Sequence, residues 1–205
     1  MLKSKAKLTI TTRLGDKGKS SLADGTRLSK SNRVFAVLGA LDECNSWLGV
    51  SISQLTLFSH DFKNSQTNSS THRELLLAVQ DCIYEISGWV ARSPKVIAQE
   101  KKLVTKCQQT IDLIESAENK LEQELKPTWT HMFVYPGGCA TSAWLDVART
   151  VCRRAERELV IAQTNPTTPP VFHILLNRIS DYLYLLRSWV NFKAGVSEKH
   201  FTWEK

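Results

Sequence analysis

Phe133-Val-Tyr-Pro-Gly-Gly138 stands just before a run, Ala140 to Arg157, that carries Arg149, Arg153, Arg154, Glu156 and Arg157. The Pro-Gly-Gly turn marks where a helix begins, and the run after it repeats with helical spacing. At about 100° per residue, Ser142, Arg149, Arg153 and Glu156 fall in one stripe, with Ala143, Val147, Val151, Ala155 and Leu159 on the other side. The expectation is a helix whose apolar side packs and whose charged stripe faces out of a core. If Arg149 or Arg153 simply paired with Glu156 in water, each pair would add only about 0.2–0.5 kcal/mol. Guanidinium is always charged and its fork matches phosphate oxygens two at a time, so the same stripe can hold a polyphosphate.

The rest of the chain fits around that helix. Phe35, Leu38, Leu41, Leu48 and Ile52 predict a first helix over about 34–55. Asp61 to Thr71 is rich in Ser and Asn and reads as a mobile polar loop. Leu75, Leu76, Val79, Ile83 and Ile86 predict a second helix that stops near Ser93-Pro94. Leu103, Cys107, Ile111, Ile114, Ala117 and Leu121 predict a long third helix over about 98–125. The arginine-bearing helix runs over about 138–163, and the proline-rich stretch Asn165 to Pro170 leads into a fifth over about 171–192. That last helix sets Phe172, Leu175, Ile179, Leu183, Leu186 and Val190 against Asn177, Asp181, Tyr184 and Ser188. The fold expected is all-α: a five-helix up-and-down bundle over 34–195, preceded by an extended arm over 1–33, the whole chain forming one domain. Alternation of Leu8 and Ile10 with polar neighbours predicts a short strand over 7–12 in that arm.

Composition narrows the partners. The chain has 205 residues, 42% hydrophobic, enough for one core without metals or disulfides, and its formal charge of +7 suits an anionic partner. Its five scattered cysteines form no C-x-x-C pair, which points to a reducing interior. This means the cytoplasm, or the mitochondrial matrix in a eukaryote. Residues 1–21 are basic, with Asp16 the only acid, but lack an amphipathic helical pattern and read as part of the mature protein. The five histidines lack the spacing of a metal site, and no apolar run is long enough to span a bilayer.

Thr12-Arg-Leu-Gly-Asp-Lys-Gly-Lys-Ser20 invites comparison with the Walker A loop. Arg13 stands where that loop needs glycine, and Ala23-Asp24-Gly25 interrupts the helix that should begin at Lys19-Ser20. Gly15 and Gly18 still allow successive amides to turn inward, with Lys17, Lys19 and Ser20 adding donors, so the segment reads as an anion-binding loop or a tight turn with solvated lysines. Asp42, inside the first helix, either faces water or has a cationic partner on another helix, for which Arg149 is a candidate.

Taken together, these blocks resemble the PduO-type ATP:cob(I)alamin adenosyltransferases. The resemblance rests on Thr12 to Gly18, Lys30, Asp42-Glu-Cys-Asn-Ser46, Phe133 to Gly138, Ala148 to Arg157 and Asn177 to Leu183, in that order. It implies a bundle assembled as a homotrimer, with ATP and the corrin bound between subunits and transfer of the 5′-deoxyadenosyl group of ATP to cobalt. It also implies a triphosphate loop of Thr12, Arg13, Gly15, Asp16, Lys17, Gly18, Ser20 and Lys30. Arg153 would neutralise phosphate, Glu156 and Asn177 would contact the nucleotide or its magnesium, and no metal would be held by protein ligands alone. Asp42 and Arg149 would pair beside the corrin, and Phe133 would occupy the lower face of cobalt. A possible further partner is an adenosylcobalamin-dependent enzyme that receives the product. Two other readings fit parts of the sequence: a basic helical nucleic-acid binder, and a P-loop phosphotransferase. The first lacks a recognition-helix motif, and against the second stand Arg13 and the scarcity of strands.

Overall fold

The structure is a computed structural model that describes residues 11, 13–61, 66–126, 133–162 and 168–202. Its elements are β1 (Lys19–Ser21), β2 (Arg27–Ser29), α1 (Arg33–Asp61), α2 (Gln66–Val90), α3 (Pro94–Ala98), α4 (Glu100–Leu125), α5 (Ala140–Ala162) and α6 (Val171–Lys193).

Burial follows the predicted helical spacing. On α1 it falls on Val37, Ala40, Leu41, Cys44, Leu48, Leu55 and Phe58, and on α4 on Leu103, Cys107, Ile111, Ile114, Leu121 and Leu125. Phe58 gives α1 another buried anchor, so the helix continues beyond Leu55 to Asp61. The loop expected over Asp61–Thr71 is therefore mostly helix, because α2 begins at Gln66, five residues before Thr71. Intrinsic preference of Ser and Asn against helix is weak, and it yields to an element anchored by buried Leu75, Leu76 and Val79.

The five long helices form a closed ring: α1 packs on α2 and α5, α6 on α5 and α4, and α4 on α2. Thr141 Oγ1 donates to the Gln54 carbonyl at 3.5 Å and Arg154 pairs with Glu43, so α1 and α5 run antiparallel. Arg178–Glu115 at 2.8 Å and Trp189 Nε1 to Glu124 at 2.9 Å set α6 parallel to α4. Direction thus alternates up and down along the chain, but α6 lies between α4 and α5. α6 is buried on most sides, including at Ser188, which the sequence pattern sets on a polar face.

The arm, expected as extended chain with a glycine loop, contains a hairpin. β1 pairs antiparallel with β2, and its turn is closed by Gly25, at φ +87°, and by the Thr26 amide donating to Asp24 Oδ1 at 2.8 Å. Leu22 is buried and the Ala23 amide donates to the Ala91 carbonyl at 3.0 Å, docking the hairpin on the end of α2. The strand expected over 7–12 lies outside the described residues, apart from Thr11. The short α3 was not foreseen; Pro94 opens it as a first helical residue.

Candidate functional site

The glycine segment folds as two tight turns, the Asp16 amide donating to the Arg13 carbonyl at 3.3 Å and the Gly18 amide to that of Gly15 at 3.2 Å. Gly18 has φ +71°, and a side chain at Gly15 would run into the Lys30 ammonium, 3.0 Å from where its Cβ would stand. Lys30 is tied back to the loop by its amide, which donates to the Gly18 carbonyl at 2.9 Å, and Arg27 Nη2 donates to the Leu14 carbonyl at 2.9 Å. Arg13, Lys17, Lys19 and Arg27 line a concavity of about 650 Å³ together with one acid among the described residues, Asp16. Lys19 and Ser20 lie in a strand, so the segment is not a Walker A loop. Thr12 lies outside the described residues.

A second concavity, of about 430 Å³, opens between α4, α5 and α6 and is lined by three arginines, Arg149, Arg153 and Arg178, by three acids, Glu118, Glu122 and Asp181, and by Tyr184. Arg153 is exposed there, and Glu156 Oε1 accepts a hydrogen bond from Asn177 Nδ2 at 3.4 Å. These three predicted residues are thus brought to one side of the bundle by the α5–α6 contact. Glu118 has a buried oxygen without a hydrogen-bond partner, and burial, with Asp181 nearby, pushes its carboxyl up to about 7. No residue lines both concavities. Within one chain, the glycine loop and the arginine stripe line separate concavities, the first cationic and the second of mixed charge.

One expectation for α5, the outward place of Ser142, is corrected. Ser142 lies inside, its hydroxyl donating to the Gly137 carbonyl at 2.6 Å, so the outward stripe begins after it. Asp42 is exposed and makes no ion pair with Arg149 within the chain; Arg149 Nε lies 3.6 Å from Asp146 Oδ1. The register explains this. With Glu43 opposite Arg154 and Gln54 opposite Thr141, Arg149 is level with residues near 47, about 7 Å along α1 from Asp42.

Phe133 is held at the bundle end where α5 starts, 76% exposed. Its carbonyl accepts from the Phe201 amide at 2.7 Å, Val134 bridges to His200, and the Tyr135 amide donates to the Lys199 carbonyl at 2.9 Å. Below it, Gly137 and Gly138 adopt φ +121° and +108°. The turn is fixed by a buried polar cluster that sequence reading missed. Asp146 Oδ2 accepts from the Gly137 amide at 2.9 Å and lies 3.2 Å from Arg187 Nε. Arg187 donates to the Gly137 carbonyl at 2.8 Å and pairs with Glu198 at 2.5 Å. Asn191 accepts from the Cys139 amide at 3.0 Å and donates to the Gly137 carbonyl and to Glu198, each at 3.0 Å. An arginine between Leu186 and Trp189 in an apolar helix was the available signal, since such a residue is buried only when paired.

Comparison with known proteins decides the family. The family described as cobalamin adenosyltransferase matches residues 10–190. The corrinoid adenosyltransferase MMAB of Bos taurus is 33% identical over 193 residues, covering 93% of this chain and 74% of that protein. This chain belongs to the cobalamin adenosyltransferase family. A corrinoid adenosyltransferase of Mycobacterium leprae is 34% identical over 186 residues, covering 89% of this chain and 91% of its own. A variant PduO-type ATP:corrinoid adenosyltransferase from Lactobacillus reuteri, solved with cobalamin and ATP, superposes with a TM-score of 0.76 at 24% identity, covering 94% of this chain and 96% of its own. That likeness establishes the adenosyltransferase bundle as the fold. Asp146, Arg187 and Glu198 in this member tie together the two ends of the region around Phe133.

Proposed function

We propose that the protein transfers the 5′-deoxyadenosyl group of ATP to cob(I)alamin, releasing adenosylcobalamin and triphosphate. The observation that carries this reading is a cationic concavity at the glycine loop, a second one that presents Arg149, Arg153 and Arg178, and an exposed phenylalanine on a glycine turn, in a chain of this family. Cobalt in its Co(I) state supplies the electron pair for a new Co–C bond at C5′, the C5′–O bond breaks, and triphosphate leaves with that bond's electrons. No general base is needed. The demand on the protein is to stabilise charge growing on the leaving triphosphate, for which preorganised cations and amides are suited.

Lys17, Lys30 and the Gly15–Gly18 turns would hold the triphosphate from one subunit, and Arg153, Glu156 and Asn177 would meet it from another, in a homotrimer. Two observations support the shared arrangement: the concavities are separate within one chain, and Asp42 has no ion-pair partner among the described residues. A pair between Asp42 and Arg149 of neighbouring copies would answer the second. Magnesium would enter with ATP. The carboxylate of Glu156 suits a hard cation that keeps most of its ligands from water and phosphate, and no cluster of three metal-ligating side chains occurs among the described residues. Phe133 would press an apolar ring on the lower face of cobalt, where loss of the lower ligand makes Co(II) easier to reduce.

No helix among the described residues is long and apolar enough to cross a membrane. Five free thiols suit a reducing interior, the cytoplasm or the matrix of a mitochondrion. Handover of the product to an adenosylcobalamin-dependent enzyme would follow. The test is to mix the protein with ATP, magnesium and chemically reduced cobalamin and to follow absorbance and triphosphate together. The reading requires the cobalamin spectrum to change and triphosphate to appear only when both substrates are present. Salt-sensitive binding to duplex DNA, indifferent to ATP and without triphosphate formation, would replace it with the nucleic-acid reading.

A further inference from the structure

Phe133 is placed by two kinds of contact, and both come from the end of the chain. The first is backbone pairing with residues 199–201: the Phe201 amide reaches the Phe133 carbonyl at 2.7 Å, and the Lys199 carbonyl receives the Tyr135 amide at 2.9 Å. Side chains add to it, with the Tyr135 and Phe201 rings edge to face at 5.9 Å and the Lys199 ammonium 5.0 Å from the Tyr135 ring. The second is Glu198, whose carboxylate enters the buried cluster and meets Arg187 at 2.5 Å and Asn191 at 3.0 Å. Arg187 and Asn191 in turn hold the Gly137 carbonyl. The same Asp146 that holds the Gly137 amide also faces Arg149 at 3.6 Å.

We infer that Glu198 and the 199–201 segment are positioning elements for the cobalt-facing ring: a strap whose anchoring by Arg187 fixes the place of Phe133. This inference rests on the proposed role of Phe133. The cluster is balanced in charge, with Arg149 and Arg187 against Asp146 and Glu198, and Arg187 Nη1 and Nη2 are hydrogen-bonded to Glu198 and the Gly137 carbonyl, while its Nε faces Asp146 as an ion pair only. A buried polar network of this kind specifies one geometry when its members are satisfied. A ring that must exclude a ligand from a metal face needs such definition, because a displacement of about 1 Å in a reacting site can cost on the order of a hundredfold in rate. The exposed Phe133 side chain cannot obtain that definition from packing in its own chain, so its backbone supplies it.

The strap makes a prediction that separates positioning from general stability. Phe201→Pro deletes the amide that donates to Phe133 and leaves the buried cluster intact, whereas Phe201→Ala keeps that amide. Glu198→Ala releases the anchor, and Glu198→Gln retains an acceptor for Arg187. With saturating ATP and cob(II)alamin, Phe201→Pro and Glu198→Ala are expected to lower the fraction of cobalt without a lower ligand, read by absorption and electron paramagnetic resonance. Their kcat should fall roughly tenfold while KM for ATP stays within about twofold. Phe201→Ala and Glu198→Gln should lie closer to the wild type. Amide exchange at Tyr135, measured without ligands, should quicken in Phe201→Pro and Glu198→Ala. Wild-type spectra, kcat and exchange in both variants would overturn the strap. Failure of the wild-type protein to form triphosphate would instead remove the adenosyltransferase reading, and the exchange measurement would still decide whether the strap fixes the turn.

Discussion

Asp146 and Arg187 meet at 3.2 Å with both side chains almost wholly out of solvent. Because Asp146 also binds the Gly137 amide and Arg187 the Gly137 carbonyl, one ion pair clamps both sides of the residue that leads into α5. Placing two charges inside a fold is costly, and such pairs add less to stability than to the choice of one geometry. Asp146→Ala leaves Arg187 buried beside Glu198 alone and should cost about 3–5 kcal/mol. Urea unfolding of Asp146→Ala, Arg187→Ala and the double variant checks it: the double should be less damaging than the sum of the singles. Additive losses would mean the two side chains act separately.

Gly138 cannot be replaced without moving Asn191. Its φ of +108° disfavours any side chain, and a Cβ would overlap the Asn191 carboxamide. Gly138→Ala should lose on the order of 1–3 kcal/mol from backbone strain alone. Adding Asn191→Ala should relieve the overlap but not the strain, so thermal unfolding of the pair should show incomplete recovery.

Arg153 is exposed on α5, so its removal should spare the fold while removing a charge that, in the proposed role, would face the leaving group. Arg153→Ala is expected to lower kcat by about 10²–10³ with an unchanged melting temperature. Glu156→Lys should be similarly inactive, since it reverses the charge hydrogen-bonded to Asn177. Wild-type rates of triphosphate formation in either variant would remove that residue from the site.

His72 is buried against Tyr182, its Nδ1 2.7 Å from the phenol oxygen. Burial, with a smaller contribution from Lys120 and opposed by Glu124, pushes its pKa down to about 4 from 6.5. The folded state therefore keeps it neutral while the unfolded chain takes up a proton below pH 6.5. Stability associated with His72 should be full above pH 6.5 and decline as pH falls to about 4. Melting temperatures across that range should show the decline, and His72→Gln should flatten it.

The bundle was legible because its long helices carry buried residues three and four apart, as on α4 from Leu103 to Leu121. Three features escaped for different reasons. The strands 19–21 and 27–29 are too short to show alternation, although Asp24-Gly25 marked their turn. Gln66 to Thr71 has a loop-like composition but is carried into helix by the anchored turns that follow. Glu198 and Arg187 lie far from Phe133 in sequence, and only the packing of α5 and α6 joins them. Arg153, Glu156 and Asn177 were findable because each sits in a block that resembles a family pattern. The Asp42–Arg149 pair, taken from the same resemblance, is absent within the chain because their helices are out of register.

The claim on which the account depends is that each site is completed by a second copy, with the glycine loop of one protomer facing the arginine stripe of another. Co-expressing Lys17→Ala with Arg153→Ala, each inactive alone, tests it directly. In a cyclic trimer every mixed assembly regains one intact site, so the mixture should recover about a quarter of the wild-type rate of triphosphate release. A mixture no more active than its separate components would contradict a site shared between copies.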